Sequence, residues 1–338
     1  MTRFHKITNI LLCGLFFLTA CKTTMRPPVQ IDDTPVFFPA TPASTSTREA
    51  DPVSTETSTP FELPQVPEFT HIVVIMLENK DFGEVIGDPN MPIFNKLAQN
   101  YTLLTQYYAV AHPSLPNYIA LIGGDTFGIT TDCTDCYINA TSLPDLIEAS
   151  GRTWKTYQQD MPSPCYGGSS FKNYVKRHNP FVYFDSIRYD KIRCEKNVVP
   201  LTMLETDAQA GQLPNFMFIS PDRCNDAHDC TIDYADEELT DELNILVPAL
   251  DKTAEPYLIV LNWDEGNADT TTSCCGLPEK AGGRIGVVLI SPQVKNGFQD
   301  DTPYTHYSLL KTIAKAWDLP YLGHAAEDNN VLITAPWK

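Results

Sequence analysis

Beyond its first twenty residues the chain has no apolar run approaching the ~20 residues of a membrane-spanning helix, which excludes a polytopic membrane protein. Basic residues are scarce: 24 Lys and Arg face 42 Asp and Glu, for a net charge of −18. There is no basic patch of the kind that tracks a nucleic-acid backbone, so nucleic acid is excluded as a partner. Anionic lipid surfaces are repelled for the same reason. No internal repeat is present, which removes solenoids and propellers. Gly167-Gly-Ser-Ser170 is not a G-x-S-x-G elbow, so an α/β-hydrolase reading lacks its nucleophile. No protein partner is evident.

What is present begins with a leader. Arg3 and Lys6 precede the apolar stretch Ile10 to Leu18, the pattern of an export signal. Leu18-Thr19-Ala20-Cys21 looks like a lipobox, with cleavage before Cys21 and lipidation of that cysteine. An ordinary secretory signal cut at a small residue is the alternative. Lys22 follows, with no aspartate of the kind that resembles an inner-membrane retention signal. Residues 1–20 are therefore expected to be a signal peptide. Residues 21–68, rich in Pro, Ser and Thr and without periodicity, read as an extended tether. Residues 69–338 suit one large catalytic α/β domain. The expected location is exported and lipid-anchored to a bacterial membrane, at the outer membrane, cell surface or periplasm.

Setting aside Cys13 and Cys21 leaves eight of the ten cysteines, an even number that favours disulfides in an exported chain. Cys133-x-x-Cys136 has no second pair at zinc-finger spacing. Cys224–Cys230 and Cys165–Cys194 are the short-range pairings offered. Cys274 and Cys275 are expected to reach different partners, because a bond between neighbours is strained.

Two buried-type strands each run into a polar pair. His71-Ile-Val-Val-Ile-Met-Leu77 delivers Glu78-Asn79, and Tyr257-Leu-Ile-Val-Leu-Asn-Trp263 delivers Asp264-Glu265. Continuous Val, Ile and Leu runs mark central strands of a parallel sheet covered on both faces. Ligands of such sheets sit beyond the strands' carboxyl ends, so these four residues converge on one crevice and can cage a hard divalent cation. An acidic protein that handles phosphate must bring a local cation, either a metal or an arginine. Helices are expected over Pro92 to Asn100, Tyr118 to Ile122, Ser142 to Ser150, Asp236 to Leu250 and Tyr307 to Trp317. Further strands are expected over Thr153 to Gln158, Asn215 to Ile219 and Arg284 to Ile290. This alternation predicts a three-layer α/β/α fold. Ser114 lies between prolines at a helix start, where an anion is favoured, although composition alone reads it as a plain N-cap. His112, His178, His228 and His306 fall in loops or at helix starts, where some can act as acid, base or ligand.

Six blocks occur in order: Met76-Leu-Glu-Asn-Lys-Asp-Phe82, His112-Pro-Ser-Leu-Pro-Asn-Tyr118, Lys176-Arg-His-Asn-Pro180, Asn225-Asp-Ala-His228, Trp263-Asp-Glu-Gly266 and His306-Tyr-Ser-Leu-Leu310. From His71 to about Leu319 the chain resembles the phosphoesterase family of bacterial acid phosphatases and phospholipases C, a branch of the alkaline-phosphatase superfamily. The resemblance implies an alkaline-phosphatase-like fold with a mostly parallel central sheet. It implies Ser114 as nucleophile, with Glu78, Asn79, Ser114, Asp264 and Glu265 as metal ligands. Asn117 resembles the asparagine that hydrogen-bonds the phosphoryl oxygens, and His112, His178, His228 and His306 match the histidines around the pocket; a histidine or Arg177 is expected to take the third phosphoryl oxygen. Ala227 departs from the glycine common in its block, a change expected to matter little. Metal-dependent hydrolysis of phosphate monoesters through a phosphoserine is the implied activity, with Mg, Mn, Ca or Zn as the ion. A phospholipase C-type phosphodiesterase, a sulfatase, or a non-catalytic surface protein are the alternatives. The chain ends soon after its last block, which favours monoesters over phospholipids.

Overall fold

Residues 65–267 and 272–338 are described in a computed structural model of the protein. The leader, Cys21 and the tether up to residue 64 lie outside the described residues. Strand β1 (His71–Leu77) is buried at every position and forms the centre of the sheet. Its neighbours are β5 (Phe216–Ser220) and β6 (Tyr257–Trp263), both parallel to it and both buried throughout. Such strands have two apolar faces and need cover on each, which explains sequences without polar alternation.

The other strands of the sheet are β2 (Thr102–Tyr108), β3 (Trp154–Gln158), β4 (Val198–Pro200), β7 (Arg284–Ile290), β8 (Phe298–Asp300) and β9 (Tyr304–Thr305). The order across the sheet is β8-β2-β7-β6-β1-β5-β3-β4, with β9 also pairing with β2. Strand β7 runs antiparallel to both neighbours, and the remaining pairings are parallel. Helices α1 (Pro92–Asn100), α2 (Ser114–Gly123), α3 (Leu143–Ala149), α4 (Met203–Ala210), α5 (Ile232–Thr253) and α6 (His306–Ala316) flank it. This is the expected mostly parallel three-layer α/β/α architecture.

The helix α1 and strands β6 and β7 coincide with their expected ranges. Helix α3 lies inside the expected Ser142 to Ser150: Ser142 caps it, and its backbone N–H donates to Asp145 at 2.7 Å in a capping box. Helix α2 begins four residues earlier than expected, at Ser114 itself, and α5 extends past both ends of its expected range. Strand β2 was not expected. Thr102, Thr105, Gln106 and two tyrosines break its apolar pattern, and its pairing with β7 is long-range and interrupted by a bulge.

Every residue of α2 is buried, and the helix packs against α6. It stops at Gly124, whose φ is 76°, and a Cβ there would collide with the carbonyl of Leu322. Cys133–Cys136, Cys165–Cys194 and Cys224–Cys230 are disulfides, as the even count suggested. Cys274 and Cys275 correct the expectation: they are bonded to each other. Ring strain alone had argued against this pairing. The backbone of Cys275, at φ 60°, takes up the turn that the small ring requires. Among the described residues no helix is long and apolar enough to cross a membrane.

Candidate functional site

The register of β1 against β6 builds the site. Leu77 pairs with Trp263, so Glu78 and Asp264 leave the sheet side by side. The Asp264 amide donates to the Leu77 carbonyl at 2.9 Å, and the Asn79 amide donates to Asp264 Oδ1 at 3.0 Å. Asn79 adopts φ 57°, a left-handed conformation that asparagine tolerates better than most residues. From the end of β5 the loop to Asp226 returns, and the Glu78 amide donates to the Asp226 carbonyl at 2.9 Å. Three parallel strands thus place three carboxylates at one edge.

Ser114 opens α2 and is 2% exposed. Its hydroxyl lies 3.0 Å from Glu78 Oε2 and 3.4 Å from Glu265 Oε1. Tyr118, one helical turn later on the same face, donates to Glu78 Oε1 at 2.6 Å. Glu78 is thereby shared: one oxygen faces the serine, and the other faces Tyr118 and His178. The His178 ring lies 3.1 Å from Glu78 Oε1 through Nε2 and 3.0 Å from Asp226 Oδ2 through Nδ1. It stacks on the Tyr118 ring at 5.3 Å.

Burial pushes Glu78, Asp226 and Asp264 well above the ordinary carboxylate range, and the mutual repulsion of these acids adds to it. Glu265 is raised to about 8, by burial and then by the negative Asp132. Burial holds His178 well below the usual imidazole value, with Arg177 and the other cations adding to the effect. Burial thus disfavours the charged form of each of these groups, and a bound cation would offset the repulsion among the acids. Asp264 Oδ2 is buried without a hydrogen-bond donor. The donors of Glu78, His178 and Asp226 lie within 4.8 Å of one another. These residues fit a divalent ion, with Ser114, Asp264 and Glu265 close by.

The structure brings Glu78, Asn79, Ser114, Asp264, Glu265, His112 and His178 together at one edge of the sheet. His112 Nδ1 is hydrogen-bonded to Glu265 Oε2, while its Nε2 is buried and unpaired. Arg177 Nη2 lies 3.1 Å from His228 Nε2, and His228 Nδ1 lies 2.6 Å from Asp229 Oδ1.

Two residues sit differently from expectation. Asn117 is fully buried, and its Oδ1 accepts the amides of Val110 and Ala111 at 2.9 and 3.0 Å. Its Nδ2 donates to the Ala111 carbonyl at 2.8 Å, so the whole amide is committed to the strap before Ser114 rather than to a phosphoryl oxygen. His306 is also fully buried: Nε2 donates to the Asp264 carbonyl at 2.7 Å and Nδ1 lies 3.2 Å from the Tyr107 hydroxyl. Burial lowers its pKa to about 4, and its bond to the Asp264 carbonyl braces the end of β6. Sequence reasoning missed Asp226 and Tyr118 as parts of the site. Both stand inside the quoted blocks, and the i, i+4 spacing of Tyr118 from Ser114 was the available signal.

The profile of the phosphoesterase family matches residues 87–320, which takes in Ser114 and Asp264 but not Glu78. The phosphate-repressible acid phosphatase of Penicillium chrysogenum is 36% identical over 261 residues, covering 75% of this chain and 60% of that protein. The phosphatidylinositol-3-phosphatase of Mycobacterium tuberculosis is 29% identical over 275 residues, covering 80% of this chain and 84% of that protein. The chain spans about 60% of the length of the curated acid phosphatases it matches. A solved structure of an alkaline-phosphatase-superfamily protein from Vibrio parahaemolyticus shares the fold, with a TM-score of 0.51 and 12% identity over 78% of this chain and 71% of that one.

Proposed function

The chain belongs to the phosphoesterase family, and from that premise we propose that it hydrolyses phosphate monoesters by attack of Ser114 on phosphorus. One observation carries the reading: Ser114 Oγ, at the first turn of a buried helix, faces two carboxylates of an acid cluster that needs a cation. The relatives named as acid phosphatases support the choice of a phosphate ester.

A divalent ion bound here would lower the serine hydroxyl pKa and neutralise phosphate charge. Glu78, Asp264, Glu265, Asn79 and the Ser114 hydroxyl supply oxygen donors for it, which favours Mg, Mn or Ca. His178 beside Asp226 keeps zinc open. The chain's own residues do the rest. The hydroxyl proton passes to a carboxylate partner as Oγ attacks in line, giving a phosphoserine. Arg177 holds a phosphoryl oxygen with its fork of donors. His112, held through Nδ1 by Glu265, presents Nε2 as the group that protonates the leaving alkoxide and later deprotonates water. Asn117 acts through the strap it clamps. Positioning and electrostatics supply most of the rate, as a loose transition state requires.

Lipid headgroups are a second substrate class, supported by the relative named for a phosphoinositide. Lipidation at Cys21 and membrane anchoring belong to the same proposal and rest on the lipobox-like sequence alone. A panel of chromogenic monoesters, diesters and sulfates tests the reaction class. Monoesters are expected to turn over with the highest kcat/KM, and a faster diester or sulfate reverses the choice.

A further inference from the structure

The reaction just described makes no use of Asp132, which lies in the loop after α2. Its Oδ1 accepts the backbone N–H of Leu115 at 3.0 Å, and its Oδ2 is 3.5 Å from Nε of Arg177. Leu115 is the second residue of α2 and follows Ser114 directly. Amides of a helix's first turn have no partner inside the helix and carry the positive end of its dipole. A phosphoryl group approaching Ser114 needs a free amide there and a guanidinium alongside. One carboxylate holds both.

We propose that Asp132 is an internal competitor for phosphate: its carboxylate occupies the anion seat formed by the Leu115 amide and Arg177, and a substrate must displace it. The inference rests on the phosphatase reading and adds to it what sets phosphate affinity and product inhibition. Its two oxygens stand where two phosphoryl oxygens would be received. Displacement is feasible because the side chain is 33% exposed, against 1% for Asp226, so it can turn into water. Arg177 is not lost when Asp132 leaves, since His228 still meets Nη2 at 3.1 Å and is itself backed by Asp229, which Arg223 holds in turn.

A purely structural Asp132, one that only caps α2 and steadies Arg177, predicts the opposite sign: its loss would loosen the seat and weaken phosphate. The test measures competitive inhibition by inorganic phosphate, with kcat and KM for a chromogenic monoester, in metal-loaded wild type, Asp132→Asn and Asp132→Ser. Asparagine can still accept the Leu115 N–H, and serine guards against a folding failure of the first variant. Phosphate is expected to inhibit both variants about tenfold more tightly, with KM falling in step and kcat changing less. An unchanged or weaker inhibition constant in the variants overturns the proposal. A wild type that neither hydrolyses monoesters nor binds phosphate refutes the phosphatase reading itself, and the inference with it.

Discussion

Ser114 bears the heaviest chemical demand of any side chain in the molecule, yet it contributes little to stability. Its hydroxyl partners are acids that share other donors, chiefly Tyr118 on Glu78. Ser114→Ala is therefore expected to fold with a melting temperature close to wild type and to lose phosphate-ester turnover by at least about a thousandfold. Activity assays beside a thermal melt check both halves. Ala227 makes the converse case. Its φ of 74° lies in the left-handed region, where glycine is at ease and alanine is strained. The alanine therefore carries a backbone strain that a glycine at this position would not. Ala227→Gly is expected to stabilise the fold by about 1 kcal/mol, read from denaturant midpoints. An unchanged or lower midpoint would show that the loop pays no strain there.

At the scale of elements, the pairing of β1 with β6 is what makes two distant sequence pairs into one site. That much was legible, because fully apolar strands ending in acids have one sensible placement. The strap from Val110 to Pro113 was not legible: its geometry depends on a buried amide whose partners are all backbone groups. Asn117→Ala leaves the Val110 and Ala111 amides buried and unpaired, so a loss of about 3 kcal/mol is expected. Since Asn117 touches the strap and not the phosphate, kcat should fall while inhibition by phosphate changes little. A large weakening of phosphate would restore the direct contact that the family resemblance implies. Helix α5 hides a different cost. Glu242 is buried with neither oxygen hydrogen-bonded, and burial, then Glu238 and Asp241, raises its pKa well above the ordinary value. A carboxyl raised in the folded state supports the fold below its unfolded pKa and loses that support as pH rises through the folded one. Glu242→Gln is expected to raise stability near neutral pH by about 1–3 kcal/mol and to flatten its decline with rising pH. Melts across pH 5 to 8 would show this, and an unaltered slope would refute it.

Across the whole molecule the dominant fact is an acidic chain that gathers its most deeply buried acids at one edge of a sheet. The sequence placed Glu78, Asp264 and Glu265 together but not Asp226 or His178, since Asp226 reaches Glu78 through the loop after β5 and His178 through the segment between β3 and β4. Four buried carboxylates with raised pKa values must destabilise the protein unless a cation joins them. Stripping divalent ions with a chelator should lower the melting temperature as well as abolish activity. Restoring an ion at a hundred times its dissociation constant should return about 2.7 kcal/mol. A melt unaffected by chelation and by added ions would remove the cation from the account.

The central claim is that phosphate passes through Ser114. Metal-loaded protein is mixed with a phosphate monoester, quenched in acid within a turnover and digested for peptide mass spectrometry. The account predicts one phosphoryl group on the peptide carrying Ser114, absent from Ser114→Ala. Full turnover with no phosphorylated peptide, or with the phosphoryl group on another residue, would contradict it.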